Sequence, residues 1–211
     1  SSSQLVMKVI FNWLLPMTSR RLGPCLGLCL FMLGVLAGPV DVRAQATYFT
    51  PRALLAEFFP KSQLVTYQKF ELSAAQRSRI EGLLGYALKK TSYTLYIAKT
   101  GEHVDGYAIL DEENGQHLPI SFAVKLSPSG AVERQEIMVY RERYGDEVRD
   151  PRFRQQFVGK TATDPLRPGE EVIAVSGATI SSRAMALGVR RALVLFDELV
   201  LRPARDAAAA H

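Results

Sequence analysis

Between Ser92 and Tyr140 the chain repeats apolar residues every second position, and this period limits the fold more than any other feature. Tyr93, Leu95 and Ile97 alternate with Ser92, Thr94 and Tyr96, and Thr100-Gly101 then turns the chain. Further strands are expected at roughly 103–111, 117–126 and 131–140. Ser127-Pro128-Ser129-Gly130 has proline and glycine where a tight turn wants them, so the last two of these strands form a β-hairpin. Consecutive strands joined this closely can only run antiparallel.

Helical signals flank the strands. Thr50-Pro51 is an N-cap followed by proline at the first helical position, and Ala53 to Phe59 gives a short apolar helix stopped by Pro60. Ser73 and Gln76 form a capping box, and Ile80, Leu83, Leu84, Ala87 and Leu88 share one face, so the period predicts an amphipathic helix over 74–90. Residues 141–170 are charged and broken by Pro151, Pro165 and Pro168, with Phe153, Phe157 and Val158 suggesting a short helix packed by its aromatic side. Glu171 to Val175 is expected as a short strand. Ser176 to Thr179 is then a turn, and 181–200 a helix with Met185, Val189, Ala192, Phe196 and Leu199 on one face. The fold class is therefore α+β: an antiparallel sheet flanked by helices, ending in a strand-turn-helix.

The first 46 residues are expected to be an address rather than structure. From Met17 the sequence gives Arg20-Arg21, an uncharged stretch from Leu26 to Ala37, and Ala44-Gln45-Ala46, the three parts of a secretory signal peptide. Spanning a bilayer takes roughly 20 apolar residues, so cleavage after Ala46 is favoured over a retained anchor, and either outcome exports the domain. Residues before Met17 carry no functional argument. The domain plan is thus 1–46 leader, 47–91 helical segment, 92–200 main domain and 201–211 disordered tail.

Composition removes several classes of function. The formal charge is +5, but removing the leader takes Lys8, Arg20, Arg21, Arg43 and Asp41 and leaves +2, with no block of five like charges. A nucleic-acid partner is therefore not expected. Cys25 and Cys29 both lie in the leader, so the remainder has no thiol for a disulfide, zinc or an iron-sulfur cluster. With only His103, His117 and His211 besides, any redox centre should be organic.

The chemistry concentrates at the turn before the last helix. Ser176-Gly177-Ala178-Thr179 entering a helix offers unpaired N–H groups and the positive end of the helix dipole, with room for a bulky anion. The string Val175 to Ser182 resembles the flavinylation motif of the FMN-binding domain family, which includes flavin subunits of Rnf and sodium-pumping quinone reductase complexes. Tyr140 to Gly145 and Phe153 to Gly159 also look like that family, and the likeness covers roughly residues 92–200. It implies FMN esterified through its phosphate to Thr179, a flavin transferase that uses FAD as donor, and an exported or membrane-bound redox partner. The cofactor neighbours it implies are Ser176, Gly177, Ala178, Ile180, Ser181 and Ser182 of the turn, with Tyr140, Glu142, Tyr144 and Gly145. The family motif usually carries an acid three positions before the serine; this chain has Ile173 there, with Glu170 and Glu171 displaced.

Three other readings compete with an electron carrier. A flavin reductase needs a substrate pocket with proton donors, for which a chain of this size leaves little protein. A hydrolase using Ser176 lacks a Gly-x-Ser-x-Gly elbow. A cofactor-less binding module of the same fold would account for Ile173.

Overall fold

The computed structural model describes residues 45–210. Most of the segment expected as a leader, residues 1–44 with both cysteines, lies outside the described residues. A six-stranded antiparallel sheet has the order β1-β6-β5-β4-β3-β2, where β1 is Ala46–Thr47, β2 Leu64–Glu71, β3 Ser92–Thr100, β4 His103–Asn114, β5 Pro119–Leu126 and β6 Val132–Tyr140. Strands β2 to β6 form a meander in sequence order. Strand β1 closes the far edge beside β6, pairing Ala46 with Tyr140.

The expected hairpin is present: Ser127 N–H donates to the Ala131 carbonyl at 2.9 Å, and Gly130 adopts φ +88°, a left-handed conformation that a Cβ would strain. Strand β2 was not expected from the sequence. Its exposed and half-buried residues show little alternation because it is a sheet edge, paired only with β3.

Helix α1 (Pro51–Phe58) starts at Thr50, whose hydroxyl accepts from Ala53 N–H. Its Leu54 and Phe58, with Phe59, cover one sheet face over the small residues Ala98, Ala108 and Ala123. Helix α2 (Ala74–Leu84) has the capping box as expected, with Ser73 and Gln76 satisfying each other's backbone N–H groups. It stops six residues before the expected end, because Gly85 takes φ +78° and caps it. Leu88 is nonetheless buried, reached from the following loop.

Helix α4 (Thr179–Phe196) fills the other face, burying Met185, Val189, Ala192 and Phe196 against Phe122, Ile137 and Leu95. Gly188 allows this close approach, since a Cβ there would lie 2.6 Å from the Phe122 ring. Between β6 and α4 the chain makes a 3-10 turn at Asp146–Arg149 and a short helix α3 (Pro151–Gln155), whose Phe153 and following Phe157 are buried edge to face, while Val158 is exposed. The expected strand at Glu171–Val175 is a correction: only Val172 bridges, to Pro168, and the Ile173 backbone pairs with the Gln156 side chain instead of a strand. The expected disordered tail 201–211 is also corrected, since a π turn at Asp197–Leu201 leads into helix α5 (Arg202–Ala209), anchored by Arg205 on Asp197 at 3.0 Å.

Candidate functional site

Extended chain from Val172 to Val175 leads into the turn, and the Gln156 side chain holds it as a strand partner would. Its Oε1 accepts from Ile173 N–H at 2.8 Å and its Nε2 donates to the Ile173 carbonyl at 3.1 Å. The turn closes through Ala178 N–H to the Val175 carbonyl at 3.0 Å, with Gly177 at φ +82°. Helix α4 then starts at Thr179, and its first backbone bond runs from Ser182 N–H to the Ala178 carbonyl. No side chain caps this N-terminus. The first-turn N–H groups of an 18-residue helix are thus left for a partner outside the helix.

The motif's hydroxyls divide into two sets. Ser181 and Ser182 are buried and committed inward: Ser182 Oγ accepts from Val175 N–H at 3.1 Å, and Ser181 Oγ lies 2.7 Å from Tyr140 Oη. Ser176 and Thr179 are exposed, and Thr179 makes no hydrogen bond among the described residues. Ala178 is buried, Gly177 is exposed, and Ile180 stays half exposed beside Thr179.

Tyr140 joins the preceding segment to this turn. Its hydroxyl donates to the Tyr144 carbonyl at 2.6 Å as well as meeting Ser181. Burial pushes its phenol pKa up, against the lowering by Ser181, so it remains a neutral donor. Gly145 sits directly over this junction at φ +96°, where a Cβ would come within 2.6 Å of both hydroxyl oxygens. The Tyr144 ring itself is 75% exposed, with the Arg143 guanidinium 5.6 Å from its centroid.

Glu142 is placed differently. Its carboxylate accepts N–H groups from His117 and Leu118, so it braces the β4–β5 turn instead of facing Thr179. Burial raises its pKa, and these backbone donors more than offset that, holding it below the ordinary glutamate range. The two displaced acids, Glu170 and Glu171, are both bound to Arg167 at 2.6 Å. Neither stands in for the acid that Ile173 lacks; Ile173 is 72% exposed.

Two further residues border the turn. Arg183 lies one helical turn after Thr179, exposed and without an ion pair or hydrogen bond among the described residues. Its i+4 spacing was legible in the sequence. Glu147, from the 3-10 turn, brings Oε1 to 3.9 Å from where a Cβ on Gly177 would stand. No local pattern announces that contact.

An exposed hydroxyl, free helix amides, an unpaired arginine and a glycine turn with open space around it are the donor set a phosphate group requires. Residues 115–194, from the β4–β5 turn into α4, match the family model described as FMN-binding domain. The resemblance read from the motif is thereby borne out over these residues. Among solved structures, the chain is similar to the crystal structure of Shewanella oneidensis NqrC, at 15% identity over 67% of this chain and 84% of that one, with a TM-score of 0.47. No curated protein matches.

Proposed function

We propose that the chain is an exported electron-transfer module carrying FMN through a phosphoester bond to Thr179. The observation that carries this reading is the free Thr179 hydroxyl at the uncapped start of α4, inside the segment that matches the FMN-binding domain. When bound, FMN supplies reversible one- and two-electron chemistry that needs no protein acid or base.

The chain's own residues do the rest. The first-turn amides and Arg183 hold a phosphate charge at Thr179 Oγ1. Gly177 leaves the approach open, and the Tyr140–Ser181 contact fixes the 140–145 segment against the turn. Tyr144 and Ile180 are both large and exposed, surfaces of the kind an aromatic ring packs against. Export follows from the leader's composition, and a covalent tether suits it, because occupancy no longer depends on free flavin outside the cell. A flavin transferase would mature the protein, and an exported or membrane-bound partner would exchange electrons with it.

Producing the chain with a flavin transferase tests this. Intact mass should rise by one FMN less water, and the band on a denaturing gel should fluoresce. Thr179→Ala should abolish both, whereas Ser176→Ala should keep them. An unmodified wild-type chain, or an adduct that survives Thr179→Ala, refutes the reading. The exposed apolar Ile173 favours one second reading, a binding module of this fold without cofactor, and the same gel separates the two.

A further inference from the structure

A groove of about 240 Å3 lies between the end of α2, the outer face of α4 and the 165–168 loop. Arg190, in its wall, is three turns beyond Thr179, about 16 Å along the helix axis. Ile80 of the α2 apolar row is buried in the core, whereas Leu83 is left 59% exposed and lines this groove with Leu84, Pro165, Leu166, Pro168 and Leu187.

Leu166 sets the far wall. Its side chain is buried and its φ is +49°, the one positive value outside glycine among the described residues. A leucine occupies this left-handed region only where its surroundings impose it. The buried side chain and the prolines on either side stiffen the loop, which lowers the ordering cost of binding there.

Charge in the lining is one-sided. Its charged residues are Arg167 and Arg190, and no carboxylate lines it. Arg167 is spent on Glu170 and Glu171. Arg190 donates through Nη1 to the Ala162 carbonyl and has no ion pair among the described residues. The acid that acts on its charge is Asp164, whose carboxylate is already taken by Thr161 and, at 3.3 Å, by Lys160. Burial pushes the Arg190 pKa down by more than Asp164 and Tyr86 raise it, the reverse of the balance at Arg191. The guanidinium still carries its proton at neutral pH, and it lacks the opposite charge that burial calls for.

The two features select one kind of ligand. Leucine and proline surface favours an aliphatic body, and an under-neutralised arginine beside it favours a single anionic head. At ~30 Å3 per water the groove holds about eight, so the body is short. We propose that this groove binds a medium-chain aliphatic carboxylate, its chain along Leu83 and Leu187 and its carboxylate on the Arg190 guanidinium. The site is separate from the turn at Thr179 and does not rest on the flavin reading.

The methyl-labelled chain, produced without a flavin transferase, is titrated by NMR with octanoate, octan-1-ol and octylammonium. Octanoate should saturate at one per chain, with shifts centred on the methyls of Leu83, Leu84, Leu166 and Leu187. Octan-1-ol should bind at least fivefold more weakly, and octylammonium more weakly still. Arg190→Met keeps an apolar stem and removes the charge, so it should weaken octanoate at least fivefold and leave octan-1-ol unchanged. Leu83→Glu sets a like charge at the rim from an exposed position, and should also weaken octanoate at least fivefold; it carries the test if Arg190→Met does not fold. Octanoate that never saturates, octan-1-ol that binds as tightly, or a folded Leu83→Glu that binds octanoate as before overturns the proposal. On flavin-loaded protein the octanoate affinity should be unchanged, and blocked binding would refute a separate site. A chain that accepts no flavin sinks the earlier reading and leaves the octanoate result standing.

Discussion

Two glycines in helices should respond to alanine with opposite signs. Gly82 in α2 is exposed, and a Cβ there meets nothing within 4 Å. Gly82→Ala then gains only helix propensity, about 0.5–1 kcal/mol. Gly188 in α4 has the same propensity to gain, but its Cβ would stand 2.6 and 2.7 Å from two carbons of the Phe122 ring. Ordinary contact begins near 3.4 Å, so ring or helix must give by most of an ångström. Phe122 is completely buried among Ile120, Val124 and Met185, and the ring has nowhere to go. Overpacking of this kind costs roughly 1–3 kcal/mol, which exceeds the propensity gain. A net loss of about 1–2 kcal/mol is expected, or roughly 2–8 °C in Tm for a domain of this size. Thermal unfolding of both variants beside wild type measures the contrast. A Gly188→Ala protein as stable as Gly82→Ala would mean that α4 does not seat on β5 as described.

Three other outcomes follow. Tyr140→Phe removes the hydroxyl that serves both Tyr144 and Ser181, and should cost about 1–3 kcal/mol in urea unfolding; a change under about 0.5 kcal/mol would show that the junction is slack. Glu81 is held below the ordinary glutamate range by Leu88 N–H first and Arg77 second, so its contribution is present above about pH 4.5 and fades as pH falls through its lowered value. Glu81→Gln should therefore lower Tm at pH 7, with the two curves converging by about pH 3; a gap that stays constant with pH would contradict this. Tyr93 works at the alkaline end: its raised pKa keeps the folded state protonated while the unfolded chain ionises, so stability should drop between about pH 10 and 12, and Tyr93→Phe should flatten that drop.

The sequence was most informative where local chemistry decides the outcome. Thr50-Pro51, Ser73 with Gln76, and Ser127 to Gly130 each carry their own hydrogen-bond logic, and each stands as expected. It was least informative where neighbours decide. Strand β2 borrows its order from β3, and its half-exposed residues give no clean alternation. Leu88 continued a helical period that Gly85 had already ended. Glu171 to Val175 has the composition of a strand, but its Ile173 backbone meets the Gln156 side chain instead of a strand. At the candidate site, the turn entering α4 at Thr179 was legible from its motif, whereas the inward commitment of Ser181 depends on Tyr140, some forty residues earlier. Glu142 shows the same limit, since only the folded β4–β5 turn supplies its donors.

The inward-turned serines bear on the timing of any chemistry at position 179. The bond between Ser181 and Tyr140 exists only after β6 and α4 have come together, so the Thr179 hydroxyl is presented by a finished surface and not by a loose peptide. On the proposed flavinylation, the transferase would meet a three-dimensional shape as well as a short string of letters. Grafting the eight residues Val175 to Ser182 onto an unrelated flexible tail should yield a far poorer substrate than the intact protein.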